Sequence, residues 1–251
     1  MRLIALIGLL SFLFLASPVE AAFTVTGPTE TAIDWAGAGA VTCNLPASVA
    51  AGDLLLVAIN GDGAINGPDA YAWPGSWVDL VDTDQGTVVM GIGYLIASGG
   101  ETTVAVTINS GTADQLVCHA YRIQGWHGTT VPEANSQTAA AIETPDGGAS
   151  LNPANWDVES TLWFVFLGLN GAATIDAYPA NYTANGVYEP CNPQTSCGIA
   201  SSYREVSAAS EDPGTWDLSS ATNATVAAVV AVRPSAQSQA PRSMHQYRLR
   251  R

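Results

Sequence analysis

The sequence predicts an all-β fold: a two-sheet antiparallel β-sandwich, jelly-roll-like, built from two similar halves. Three observations carry this reading. Beyond residue 21 helical periodicity is nearly absent, and short runs rich in Val, Ile, Thr and aromatics recur, cut by Gly, Pro, Asn and Asp. Charged residues are 12% of the chain, about half the usual ~25%, which argues against long helices and coiled coils. Hydrophobic residues are 47%, enough for a packed core and too many for a disordered chain.

The strands follow in order. Residues 23–26 and 41–45 are short runs with β-branched residues. The stretch LLLVAIN at 54–60 is almost continuously apolar and reads as a strand covered on both faces. After 77–82 and 87–97, the stretch TTVAVTI at 102–108 alternates, placing Val104, Val106 and Ile108 on one face. Residues 115–123 complete the first half, and 162–169, 199–207 and 225–232 supply the second. The halves echo each other in words: LLLVAING at 54–61 and FVFLGLNG at 164–171, PGSW at 74–77 and PANY at 179–182, AYR at 120–122 and AVR at 231–233. This predicts similar halves at about 40–124 and 160–233, joined by a linker and packed face to face in one domain over 22–233.

The two ends differ from the body. Arg2, an apolar run at 3–15 and a small-residue site at Val19 and Ala21 read as a secretory signal peptide over 1–21. The apolar run is shorter than the ~20 residues of a spanning helix, so no membrane insertion is expected after its removal. Residues 234–251 carry four arginines and no acid and read as a basic, disordered tail. There is no lysine; between 22 and 233 stand 21 acids against Arg122, Arg204 and Arg233, a formal −18. Such a surface repels phosphate backbones and excludes the body as a nucleic-acid binder.

Four cysteines in an exported chain predict oxidation. Cys191 and Cys197 bracket a short turn-forming loop, while Cys43 and Cys118 sit in strand-like runs, so the expected pairs are 191–197 and 43–118. Without a Cys-x-x-Cys pair, zinc is set aside. There is no Gly-x-Ser-x-Gly elbow, and Ser-x-x-Lys is impossible without lysine. His119 follows Cys118 directly, so in a strand the two side chains point to opposite faces. Asp62, Asn66 and Asp69 offer calcium ligands in a Gly-rich loop, but the Asp ladder and closing Glu of a calcium loop are missing, so the segment reads as a solvated turn. Neither a metal nor a cofactor is expected.

Aromatic residues are the most suggestive group. Tyr71 and Trp73 crowd a loop beside Asp69, where flat amphipathic rings next to hydrogen-bonding groups suit a sugar face or a surface partner. Trp77 and Tyr182 read instead as equivalent core plugs of the two halves, and Trp126 with His127 sits at another strand end.

The words AGDLLLVAI at 51–59, WPGSW at 73–77, ETT at 101–103 and AYRIQG at 120–125, with Gly93 and Tyr94 between them, carry a resemblance. The chain resembles poorly characterised jelly-roll-like β-sandwich proteins found among phage virion and tail-associated proteins and among exported bacterial proteins. The likeness covers most of 40–233 and implies a protein that binds or builds rather than catalyses. The leader and the cysteines depart from the virion members. The expected function is that of an exported, non-enzymatic binding or surface protein, secreted, periplasmic or on the cell surface, that contacts a glycan or cell-surface partner through aromatic loops. A second reading is a structural component of a phage particle, such as a decoration or tail-associated protein. A polysaccharide-active enzyme is the weaker third.

Amino-terminal sequencing of material from the native host should begin at Ala22; a mature chain starting at Met1 contradicts the leader.

Overall fold

The structure, a computed structural model, describes residues 23–34, 39–63, 70–109, 113–140, 142–191, 197–222 and 224–235. The expected leader and nearly all of the expected tail lie outside these residues. Among the described residues every regular element is a strand, and all pairings are antiparallel.

Continuous apolar runs dictate the centre. β3 (Leu54–Gly63) and β10 (Glu159–Asn170) bury side chains on both faces, so each must sit mid-sheet with cover above and below. They do. β1 (Thr24–Asp34), β5 (Val78–Asp84), β6 (Val88–Ile96) and β8 (Ala113–Gln124) join β3 in the order β1-β8-β3-β6-β5. β9 (Glu133–Ala140), β12 (Val187–Pro190), β13 (Cys197–Ala208) and β15 (Ala224–Val232) surround β10 in the order β9-β15-β10-β13-β12. The two orders correspond strand for strand along the chain.

Smaller sheets cover the outer faces. β2 (Gly39–Asn44), β4 (Tyr71–Ala72) and β7 (Thr103–Ile108) form the order β2-β7-β4 over the first large sheet. β11 (Ile175–Ala177) and β14 (Asp217–Leu218) do the same over the second, helped by the bridges Asp146–Thr215 and Leu151–Glu211. The expected pair of sheets is therefore the inner part of four layers with three cores. One core lies between the large sheets and unites Leu56, Met90 and Tyr121 with Phe164, Phe166 and Val230. The other two lie under the small sheets.

The halves are wider than the sequence words suggest. The segment read as a linker contains β9, the second half's counterpart of β1. Tyr94 and Tyr203 fix the alignment: Leu56 pairs with Tyr94 and Tyr121, and Phe164 pairs with Tyr203 and Val230. Leu56 thus matches Phe164, a separation of 108 (164 − 56) rather than the 110 of the echo. A two-residue slip leaves every side chain on its original face, which is why the echo still found the right strands.

The large sheets meet about an internal pseudo-twofold axis. β1 lies against β12 and β9 against β5, β8 against β13 and β15 against β6, with β3 and β10 at the axis. At one edge Thr83 and Ser136 share a 2.8 Å hydroxyl hydrogen bond. At the equivalent edge Glu30 and Glu189 are hydrogen-bonded; burial, then the Glu30 charge, raise the Glu189 pKa above its ordinary value. Near the axis, Asn60 fills the space that a side chain at Gly168 would need, and its amide donates to the Gly198 carbonyl at 2.9 Å.

Both expected disulfides are present. Cys43–Cys118 ties β2 to β8 across the first half's core, and Cys191–Cys197 closes the β12–β13 hairpin. Cys43 and Cys118 are 75 residues apart in sequence and Cys191 and Cys197 only 6. On loop-closure entropy, the long bridge contributes about 4 kcal/mol and the short one less. Cys43→Ser should accordingly lower the denaturant midpoint well beyond Cys191→Ser, as measured by urea unfolding; the reverse order contradicts this account.

Candidate functional site

The aromatic loop is not arranged as the sequence suggested. Asp69 and Asn66 lie outside the described residues. Tyr71 is 2% exposed and does not stand proud. Its ring lies over Gly91, its hydroxyl donates to the Val89 carbonyl at 3.3 Å, and burial raises its pKa well above the ordinary phenol value. Trp73 lies flat on Gly93 in the same way and is partly buried. The cause is on β6: Gly91 and Gly93 share one face and leave ring-sized space that draws both aromatics inward. Any side chain at either glycine would collide with a ring.

Trp77, read as a core plug, is only partly buried and stacks on Trp73 with centroids 5.5 Å apart and planes 21° from parallel. Its turn is the one the echo implied. Trp77 N–H donates to the Pro74 carbonyl at 3.1 Å, and Tyr182 N–H donates to the Pro179 carbonyl at 2.9 Å. Tyr182 is fully buried, as expected of a plug, and Trp126 is buried as well.

Trp77 forms one wall of a groove of about 330 Å³ whose lining includes Pro74, Leu95, Ile96, Ser98 and Glu101. Ile96 is 43% exposed and Val78, beside Trp77, 44%. The Glu101 carboxylate accepts from the Ser98 N–H and hydroxyl at 2.7 Å each and from Gly99 N–H at 2.9 Å. The Ser98 hydrogen bond foremost lowers its pKa, so it is ionised at neutral pH. The groove thus combines an aromatic face, an apolar floor and a fixed negative charge. The sequence signal for it was the Pro-x-x-aromatic word at 74–77, which pointed to the turn without saying that its ring opens outward.

A larger groove of about 440 Å³ runs along the open edge of the seam, lined by Phe23, Val25, Leu162, Tyr203 and Arg204 among others. Its cation is already engaged: Arg204 binds Glu211 at 2.5 Å. Arg233 likewise pairs with Glu159 at 2.7 Å, and Arg122 lies 3.8 Å from Asp53. All three arginines of the body are therefore held by acids. Neither groove offers a free cation among the described residues, which disfavours anionic ligands.

A polar cluster that the sequence reading missed lies deep in the seam. His119 Nδ1 is 2.6 Å from Ser201 Oγ, which is 2.7 Å from the Tyr121 hydroxyl. A serine beside an imidazole invites comparison with a nucleophile and its base, but all three residues are fully buried. Burial pushes the His119 pKa down to about 3, and its Nε2 has no hydrogen-bond partner. Cys118 and His119 do face opposite cores, Cys118 toward the small sheet and His119 into the seam. Asp62, the described calcium candidate, is buried and accepts from Gln115 N–H at 3.2 Å. Among the described residues no group of His, Cys, Asp and Glu is arranged to hold a metal ion.

Comparison with protein families, with curated proteins and with solved structures finds no match for the chain.

The buried imidazole makes a pH prediction. Its folded pKa lies below the ordinary 6.5, so its contribution is complete above pH 6.5 and is lost as pH falls toward 3. The slope is about 1.4 kcal/mol per pH unit. Between pH 6.5 and 5 the native protein should lose about 2 kcal/mol more unfolding free energy than His119→Ala does. Denaturant titrations of both proteins at the two pH values measure this; equal losses contradict the assignment.

Proposed function

We propose that this is an exported, non-enzymatic binding protein in which each half is a jelly roll and the Trp77 groove is the contact site for a glycan or cell-surface ligand. The observation that carries the reading is the Trp73–Trp77 stack opening onto a groove with an ionised carboxylate at its rim. A partly exposed indole face gives contact area at little entropic cost, and a carboxylate accepts hydrogen bonds from hydroxyl or cationic groups. The strand order of the first half, with 1-8-3-6 in one sheet, extended by β5 at its edge, and 2-7-4 in the other, supports the jelly-roll description. Two disulfides support a compartment that keeps thiols oxidised. Among the described residues no helix is long and apolar enough to cross a membrane.

A glycan array followed by tryptophan-fluorescence titration of any hit tests the site. Trp77→Ala should weaken binding by about 2–4 kcal/mol, the range for an aromatic hot spot, and lower the melting temperature less than Tyr71→Ala does, because Trp77 is only partly buried. Tyr71→Ala should instead destabilise the fold by about 3–5 kcal/mol, as for other large buried aromatics. Binding untouched by Trp77→Ala rules the groove out.

A further inference from the structure

The second half contains a closed version of the Trp77 groove. At the matching turn stands Tyr182, and the Arg204 guanidinium lies over its ring, 4.9 Å from the centroid. Arg204 also donates to Glu211 Oε1 at 2.5 Å, and the Tyr182 hydroxyl donates to the same oxygen at 3.2 Å. Ring, guanidinium and carboxylate form one stacked, charge-neutral unit. The first half keeps two of these parts. Trp77 replaces Tyr182, and Glu101 takes the role of Glu211 on the loop that leaves the corresponding strand. The third part is missing: Tyr94 and Leu95 align with Tyr203 and Arg204, so the guanidinium position falls to a leucine, which has no donor to offer Glu101.

We infer that the Trp77 groove is a guanidinium site and that its occupant is an arginine of the chain's own carboxyl-terminal segment. This rests on the reading of the same groove as a binding site and adds what fills it. Three observations select that occupant. The body, at a formal −18, has all three of its arginines engaged by acids, while residues 236–251 carry Arg242, Arg248, Arg250 and Arg251 and no acid. The described chain ends at Ser235, which a short path of hydrogen-bonded residues joins to the groove. Ser235 N–H donates to the Gly125 carbonyl, the neighbouring Trp126 indole donates to the Gly52 carbonyl, and Gly52 N–H donates to Ala97, which sits between the groove residues Ile96 and Ser98. From Ser235 to Arg242 an extended chain spans about 23 Å at most, ample for that path. A planar guanidinium suits the pair of partners, because it stacks on an indole while its edge donates to a carboxylate.

Limited trypsin digestion of the full chain tests this directly. The sequence has no lysine, so cleavage after Arg242, Arg248 and Arg250 reports on the segment alone while the body stays folded. Cleavage tracks the fraction of time the segment is free, so release after Arg242 should be about five- to tenfold faster in Trp77→Ala and Glu101→Gln than in the native chain. Leu95→Arg, which supplies the second half's guanidinium from within, should free the segment to the same extent. Circular dichroism melting checks that each variant remains folded. A synthetic peptide of residues 236–251 should protect Trp77 of a chain ending at Ser235, which carries none of the four arginines, from acrylamide quenching, and its counterpart with citrulline for arginine should not. Equal release rates in all four chains overturn the inference, as does a citrulline peptide that protects equally well. Failure here leaves the proposed function standing if a ligand still binds through Trp77. Absence of Trp77-dependent ligand binding both in the full chain and in the chain ending at Ser235 would remove the proposed function while leaving the protease result intact.

Discussion

The apolar seam between the two five-stranded sheets is the constraint to which the rest of the molecule answers. β3 and β10 bury side chains on both faces, so each large sheet needs two covers. Each half supplies one cover from its own small sheet and must borrow the other from its twin. Each of Leu56, Met90, Phe164 and Phe166 is fully buried, and each contributes about 1.5–3 kcal/mol relative to exposure. A half by itself would forfeit that burial on its whole inner face. The twofold arrangement solves the problem for both sheets at once, because one docking event covers both inner faces.

Against that background the polar cluster stands out. The row Ile92, Ala58, His119 of the first sheet corresponds to Ser201, Phe166, Ala228 of the second. Tyr121 corresponds to Val230. One of the two equivalent seams therefore holds Ala228, Val230 and Ile92, and the other holds His119, Tyr121 and Ser201. The apolar version shows that the seam closes without hydrogen bonds, so the polar version is not needed for cohesion. What it adds is selectivity of pairing. Separating His119 from Ser201 in any other register or partner arrangement would leave buried polar groups unsatisfied, at about 1–3 kcal/mol each. Two sheets of similar shape have many ways to pair wrongly, and a polar contact placed on one side only penalises the wrong ones.

Much of this was legible in the sequence, for definite reasons. Strands with one wet and one dry face announce themselves by alternation, as at 102–108, and doubly covered ones by unbroken apolar runs, as at 54–60. β9 was missed because EANSQTAA is an edge strand with half-exposed faces and no apolar pattern to detect. β4, β11 and β14 are two or three residues long and exist only because longer neighbours offer hydrogen bonds. The cysteine pairing followed from compartment and spacing. The site was less legible, because exposure of a ring is decided by its neighbours in space. Tyr71 and Trp73 were expected outside, yet Gly91 and Gly93, some twenty residues away, decide where those rings lie.

The same comparison of halves explains why the turn of the first half, and not that of the second, opens onto a groove. Both halves keep the turn, the aromatic at its end and a glutamate on the next loop. In the second half Arg204 neutralises Glu211 and covers Tyr182, so charge and ring are both satisfied internally. In the first half Leu95 stands in the arginine's place, and Trp77 and Glu101 are left presenting a face and a charge to the outside. Changing one side chain from guanidinium to isobutyl turns a closed ion pair into an open groove. The backbone need not change. The correspondence of the halves lets one seam cover both large sheets, and the differences between them lie at the rim, where Leu95 matches Arg204.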